Sequence, residues 1–233
     1  MSAPASEHGR LADLADWAGR EFERAPALEI LEWASVEFGP SWCVASSMAD
    51  AVVPHLASRV QPGVDVIFLD TGYHFAETIG TRDAVEATMP ITLRTITPEL
   101  TVAEQDARYG ADLFARDPDR CCSIRKVTPL GTALAPYAAW TAGLRRDESF
   151  SRSRTKVVQW DAHRGLVKIN PIATWTQDDV DRYIADHNIL VNPILSEGYG
   201  SVGCEPCTSK TVGADARSGR WAGFAKVECG LHV

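Results

Sequence analysis

Six cysteines are spread over 233 residues, and five of them fall in a layout that ordinary packing does not call for: Cys121-Cys122 side by side, Cys204-Glu205-Pro206-Cys207, and Cys229 alone. The two pairs supply four thiolates, the complement that a [4Fe–4S] cube or a structural zinc takes. Structural zinc usually draws each pair from a Cys-x2–4-Cys loop, and two adjacent cysteines fit awkwardly around one small tetrahedral ion. A cube spreads its ligands over separate irons, so neighbouring thiolates can diverge. The spacing favours the cluster over zinc, and both over unrelated buried thiols. Cys204-x-x-Cys207 also has the spacing of a thioredoxin-like redox pair, but Thr208-Ser209-Lys210 follow it rather than an apolar helix.

Cys229 lies in Glu228-Cys229-Gly230-Leu231-His232, four residues before the last. Packing is a weak reason for a cysteine in such a segment, because chain ends are poorly ordered unless tied down. A thiol on a movable arm can reach a bound substrate and then swing to a partner, and a nearby cation such as His232 favours its thiolate at neutral pH. Cys43 sits inside an apolar run and reads as a small buried hydrophobe.

The net charge is −8, which argues against broad nucleic-acid binding, since phosphate neutralisation needs a basic face. Basic residues nevertheless border the cysteine motifs and strand ends: Arg125-Lys126, Arg145-Arg146, Arg152, Arg154, and Arg217-Ser218-Gly219-Arg220. Guanidinium forks suit phosphate and sulfate oxygens, so a concave site for one small anion is expected. Residues 1–24 carry five acidic side chains and no apolar core of a signal peptide, and no run approaches the roughly 20 apolar residues of a membrane span. A reducing, cytoplasmic setting follows, in which disulfides are rare.

Alternating apolar runs and helical periodicity supply the elements that must position these groups. Apolar spacing predicts helices from Leu11 to Phe22, Pro26 to Phe38, Ala49 to Val60, Phe75 to Ala87 and Gln177 to Asp186. Strands are expected at Trp42–Ala45, Val64–Leu69, Ile91–Ile96, Ala138–Thr141, Val157–Trp160 and Leu166–Ile169. Strand–helix alternation gives an α/β fold with a parallel-type twisted sheet flanked by helices. The expected organisation is one α/β domain over residues 1–210 and a mobile C-terminal tail over 211–233. Ligands bind such sheets beyond the carboxyl ends of the strands, where Ser46-Ser47-Met48-Ala49-Asp50 and Asp70-Thr71-Gly72 lie. Ser46 or Ser47 serves equally well as a simple helix cap.

From about Trp42 onward the chain resembles the assimilatory adenylylsulfate (APS) reductases. The resemblance rests on Cys121-Cys122-Ser123-Ile124-Arg125-Lys126, Gly143-Leu144-Arg145-Arg146, Cys204-Glu205-Pro206-Cys207, Arg217-Ser218-Gly219-Arg220-Trp221 and Glu228-Cys229-Gly230-Leu231-His232. It implies an adenine nucleotide α-hydrolase-like fold and a [4Fe–4S] cluster on Cys121, Cys122, Cys204 and Cys207. It implies that Cys229, supported by Lys126 and His232, attacks the sulfur of adenosine 5'-phosphosulfate to give an S-sulfocysteine and AMP. Thioredoxin would then free sulfite through a mixed disulfide at Cys229. Ser46, Asp70, Thr71 and Gly72 would line the nucleotide side, with Arg145, Arg152, Arg217 and Arg220 toward the phosphosulfate. The cluster would shape electrostatics rather than deliver electrons. Neither a nucleic acid nor a membrane is an expected partner, and self-association stays open.

The nearest rival is a phosphoadenylylsulfate (PAPS) reductase without a cluster, against which the four cysteines speak. An adenylating enzyme of the same fold would need a pyrophosphate loop and would leave Cys229 idle. A non-catalytic iron–sulfur or zinc module would tolerate loss of Cys229.

Overall fold

Trp42-Cys43-Val44-Ala45 is apolar along its length, as a strand covered on both faces requires, and it forms β1 near the centre of a six-stranded sheet. The computed structural model describes residues 7–213 and 215–232. Met1–Ser6 of the N-terminal segment, and Ala214 and Val233 of the tail, lie outside the described residues. The strands are β1 (Trp42–Ala45), β2 (Val64–Leu69), β3 (Ile91–Ile96), β4 (Ala139–Ala142), β5 (Val158–Asp161) and β6 (Leu166–Ile169), in spatial order β3-β2-β1-β4-β6-β5. All neighbours pair in parallel except the last two. There the parallel expectation fails: β5 runs antiparallel to β6, with Asp161 opposite Leu166. Only residues 162–165 join them, and a parallel crossover needs a dozen residues or more. The α/β class stands, with a mixed sheet.

The helices are α1 (Glu7–Glu21), α2 (Ala27–Phe38), α3 (Val52–Val60), α4 (Ala76–Thr88), α5 (Val102–Tyr109), α6 (Leu113–Arg116), α7 (Pro118–Cys122), α8 (Thr128–Leu134) and α9 (Gln177–His187). The period of 2 along β1 divides the core. Trp42 and Val44 face a large cluster that includes Leu11, Ile30, Leu31 and Leu56 of the first three helices. Cys43 faces the other cluster, with Leu130 and Leu134 of α8 and Trp140 of β4. Cys43 is therefore the buried hydrophobe expected, and burial pushes its thiol far above the usual range. Burying each large side chain contributes about 1.5–3 kcal/mol, so Leu130 and Leu134 fasten α8 to the sheet.

That attachment matters because α7, Ser123–Val127 and α8 run on as one helical stretch, with a π-helical turn at Ser123–Val127. π-Bulges concentrate at functional sites, where an extra residue re-aims side chains. Here the turn carries Arg125 and Lys126 four residues beyond Cys121 and Cys122 respectively, so cations and thiols share one helical stretch.

The chain leaves β1 toward β2 and β3 on one side, then returns to place β4 on the other. The crevice between the carboxyl ends of β1 and β4 is thus a switch point, where open α/β sheets bind ligands. Ser46 follows β1 directly and Gly143-Leu144-Arg145 follow β4. No described helix is long and apolar enough to cross a membrane.

Candidate active site

Cys121, Cys122, Cys204 and Cys207 line one small cavity closed by Tyr73, Phe114 and Pro118. Cys121 and Cys122 end α7. Cys204 and Cys207 flank a single tight turn in which Cys207 N donates to Cys204 O at 3.0 Å. The turn is tied to the β2–α4 loop by Glu205 N donating to Tyr73 O at 2.7 Å and by a bridge between His74 and Cys204. Burial raises Cys121 to about 12 and Cys207 to about 11, and the neighbouring thiols of the cavity push in the same direction. Cys204 goes the other way: burial opposes its ionisation, but Lys126, the Thr71 hydroxyl 3.3 Å away and Arg220 outweigh it. Soft thiol donors crowded this closely ionise together only beside positive charge, which Lys126 supplies to Cys204. Four thiols lining one cavity are a donor set that fits an iron–sulfur cluster.

A second cavity, of about 670 Å³, opens from the switch point and reaches Lys126, Cys229, Leu231 and His232. One side of it is formed by Ser46, Ala49 and Asp50 after β1, by Gly143–Arg145 after β4, and by apolar Val53, Ile172 and Val180. Ser46 Oγ accepts from Met48 N at 3.2 Å, and Met48 has a φ of 57°, so the serine shapes a tight turn at the cavity wall. Thr71 lines the cavity, whereas Asp70 and Gly72 do not. Asp70 accepts from Gly72 N at 3.0 Å and pairs with Arg82 at 3.6 Å. Gly72 has a φ of 73°, and a Cβ there would lie 3.1 Å from Arg125 Nη2, so its role is to let the arginine approach.

The basic end gathers Lys126, Arg145, Arg152, Arg217 and Arg220 on the same cavity. Burial works against the Lys126 ammonium, yet its proximity to Cys204, Cys229 and Cys122 holds its pKa above the ordinary value. Lys126 therefore stands between the thiol cavity and Cys229. Arg145 is held by Asp147 and Gln177, each at 2.7 Å. Arg152 is clamped by Glu148 and Glu228, and burial with the nearby Arg152 lowers Arg217 to about 10. Arg220 donates to Val202 O at 2.9 Å.

The tail lies over this end. Thr208 bridges to Arg220, Lys226 pairs with Asp119, and Leu231 packs on the α8 side of the sheet. His232 stacks on Trp140. The sequence reading of His232 as a cation beside Cys229 is corrected here. Burial, reinforced by Lys168, Arg152, Arg164 and Arg217, drives its pKa well below the ordinary value, leaving it neutral. The buried cation that shares the cavity with Cys229 is Lys126.

Three residues of the site were not singled out from sequence. Trp140 read only as part of a strand. Glu228 appeared only as a motif member, because its arginine partner is 76 positions away. Arg125 looked like half of a basic pair, but it is buried and donates to Thr71 O, Leu100 O and Gln105 Oε1. Its spacing of four from Cys121 on one helical stretch was the available signal.

Residues 40–210 match the family model described as phosphoadenosine phosphosulfate reductase domain. A protein of Streptomyces coelicolor named adenosine 5'-phosphosulfate reductase is 63% identical over 223 residues, 95% of this chain and 94% of its own. A protein of the same name from Mycolicibacterium smegmatis is 56% identical, over 98% of this chain and 97% of its own. Among solved structures, phosphoadenylyl-sulfate (PAPS) reductase from Candida auris in a phosphate complex aligns with a TM-score of 0.74 and 26% identity, covering 91% of this chain and all of that one. FMN adenylyltransferase of Candida glabrata shares the fold alone, at a TM-score of 0.54 and 12% identity over 86% of this chain and 75% of its own. The chain belongs to the phosphoadenosine phosphosulfate reductase family.

Proposed function

We propose that the chain is an adenosine 5'-phosphosulfate reductase that forms sulfite and AMP in the reducing cytoplasm, in assimilatory sulfate reduction. The observation that carries this reading is the convergence of Cys229, Lys126, Arg152, Arg217 and Arg220 on the cavity that begins at the switch point of the sheet. The names of the relatives agree with it. The cavity's apolar side by Val53 and Ile172 suits a purine, and its basic end suits the phosphosulfate.

The Cys229 thiolate attacks the sulfate sulfur, the sulfur–oxygen bond to the nucleotide breaks, and AMP leaves with the electron pair. Cys229 then carries the sulfo group as S-sulfocysteine. A dithiol reductant of the thioredoxin kind attacks the Cys229 sulfur. Sulfite departs with the bond's electrons, and the partner's second thiol resolves the mixed disulfide. Lys126 and the arginines neutralise charge and align the sulfur with the thiol, since AMP is already a good leaving group. Cys121, Cys122, Cys204 and Cys207 would hold the [4Fe–4S] cluster, which would supply a fixed charge distribution beside Lys126.

Sulfite release by anaerobically purified protein, with APS and PAPS in competition and a thioredoxin as reductant, tests the reading. Preferential turnover of APS is the expected result; a clear preference for PAPS, or pyrophosphate release from ATP, would overturn it.

A further inference from the structure

Arg152 and Arg217 both line the basic end of the cavity, and Glu228 of the tail occupies donors of each. Arg152 donates from Nε and Nη2 to the two carboxylate oxygens of Glu228, at 2.7 and 2.9 Å, and from Nη1 to Glu148 at 2.7 Å. Arg217 Nη2 donates to Glu228 at 3.0 Å and to Val227 O at 3.1 Å. The Glu228 side chain is 16% exposed. Burial opposes its ionisation, but the hydrogen bonds and charge of Arg152, with Arg217 and Arg220 beyond, keep it below the ordinary glutamate value. Arg217 Nε and Arg220 Nε are buried without a partner, so the cluster has donors to spare.

A two-oxygen anion gripped by a guanidinium fork with a second arginine behind it is the contact set that a sulfate or phosphate would make. The fork on Arg152 cannot serve two anions, and like charges at that spacing repel. Glu228 also immediately precedes Cys229, so the occupant of the fork and the nucleophile move together. We propose that the Glu228 carboxylate is an internal counter-anion that holds the oxyanion site while the tail is docked, and that an incoming sulfate-type anion exchanges with it and releases the segment carrying Cys229. This rests on the reading above that Arg152 and Arg217 belong to the substrate's anion site. Exchange opens the cavity for a nucleotide, and the thiol closes back over it from a tail whose glutamate has given up the fork. The Trp221 anchor, buried beneath Arg217 and Arg220, keeps the rest of the tail attached.

The test uses full-length, anaerobically purified protein and inorganic sulfate, with chloride at matched ionic strength as control. The rate of Cys229 carbamidomethylation is followed by peptide mass spectrometry. In the wild type, sulfate but not chloride accelerates alkylation severalfold. In Glu228→Gln the rate is high without sulfate and does not respond to it, and calorimetry gives sulfate binding about tenfold tighter, because the competing occupant is gone. Glu228→Asp keeps the charge and regains part of the sulfate response, which separates loss of charge from loss of fold. Sulfate that slows alkylation equally in wild type and Glu228→Gln, or a Glu228→Gln rate equal to wild type, overturns the proposal. None of these readouts involves turnover. Their failure therefore leaves the reductase reading standing, whereas absence of sulfite formation with the sulfate response kept would sink that reading and leave an anion exchange with no substrate role.

Discussion

The imidazole of His232 lies parallel to the indole of Trp140, with ring centroids 5.7 Å apart and planes 8° apart. The stack joins the tail to the central part of the sheet through β4, and it places Cys229 three residues from a fixed point. Its charge state follows from its surroundings. Burial opposes its charged form, and Lys168 of β6, Arg152, Arg164 of the β5–β6 turn and Arg217 add to that as cations, so the docked imidazole stays neutral. Burial brings Lys168 down to about 8, with Asp161 opposing.

Docking of the tail therefore weakens in acid. A histidine in a free tail takes a proton near pH 6.5, whereas docked His232 resists protonation until well below that value. Because the docked pKa is depressed, the stabilisation is complete above about pH 6.5 and is lost as pH falls below it, by up to tenfold in the docking equilibrium per pH unit. Hydrogen exchange of residues 215–232, corrected for intrinsic rates, is expected to show falling protection from pH 7 to 5.5. His232→Asn flattens that dependence. A flat wild-type profile would mean that the neutral stack does not hold the tail.

The cysteines divide by function. Cys121→Ser and Cys207→Ser each remove a donor from the four-thiol cavity, and both are expected to lose iron, acid-labile sulfide and the broad absorbance near ~400 nm of a four-iron cubane. Cys229→Ser is expected to keep all three and to form no sulfite, falling by at least the ~10³-fold typical of losing a nucleophile. A Cys229→Ser protein that still turns over would remove the covalent route. Colourless wild-type protein with stoichiometric zinc would remove the cluster.

The parts of this site that could be read from sequence are those encoded by local pattern. Trp42–Ala45, Val64–Leu69, Ile91–Ile96 and Leu166–Ile169 have the strand limits expected, because short runs of β-branched and apolar residues bounded by turn residues leave little choice. Cysteine spacing pointed at the thiol cavity. The stretch from Val102 to Leu134 was not legible as helix. In α5 only Gln105 is buried, so no apolar stripe marks it. Its capping box, Thr101 with Glu104, was the one available cue, and the Thr176–Asp179 box at α9 is the same device. The direction of β5 depended on connection length rather than composition. Glu228 with Arg152, and Trp140 with His232, are contacts across most of the fold, which no local pattern announces.

Arg125 is a positioning residue. It is 3% exposed, and its guanidinium meets Thr71 O, Leu100 O and Gln105 Oε1, with Tyr73 under its face at 5.3 Å. A lysine brings one compact ammonium to acceptors arranged for a fork, leaving buried carbonyls unpaired. Arg125→Lys is expected to destabilise the protein by about 2–4 kcal/mol and to lower iron content, because the β2–α4 loop that meets Cys204 is no longer held. Thermal unfolding with parallel iron assay checks both. Full stability with full iron content would show that the three acceptors are satisfied without the fork.

Two glycines separate the anion site from the tail turn that carries it. A Cβ at Gly203 would lie 2.1 Å from Arg220 Nη2, and one at Gly219 would lie 2.0 Å from Ser209 O. The first obstacle is the end of a flexible side chain, so Gly203→Ala displaces Arg220 and spares the fold. The second is backbone, in the turn where Ser209 N donates to Gly219 O at 2.8 Å, so Gly219→Ala must dismantle the turn that sets Arg217 and Arg220. Gly203→Ala is expected to raise KM for APS about tenfold, the loss of roughly one charge-assisted contact, with kcat falling much less. Gly219→Ala is expected to lose both and to expose residues 208–220 to protease. If Gly203→Ala binds APS as the wild type does, Arg220 is not among the groups that grip the substrate, and the anion site contracts to Lys126, Arg145, Arg152 and Arg217.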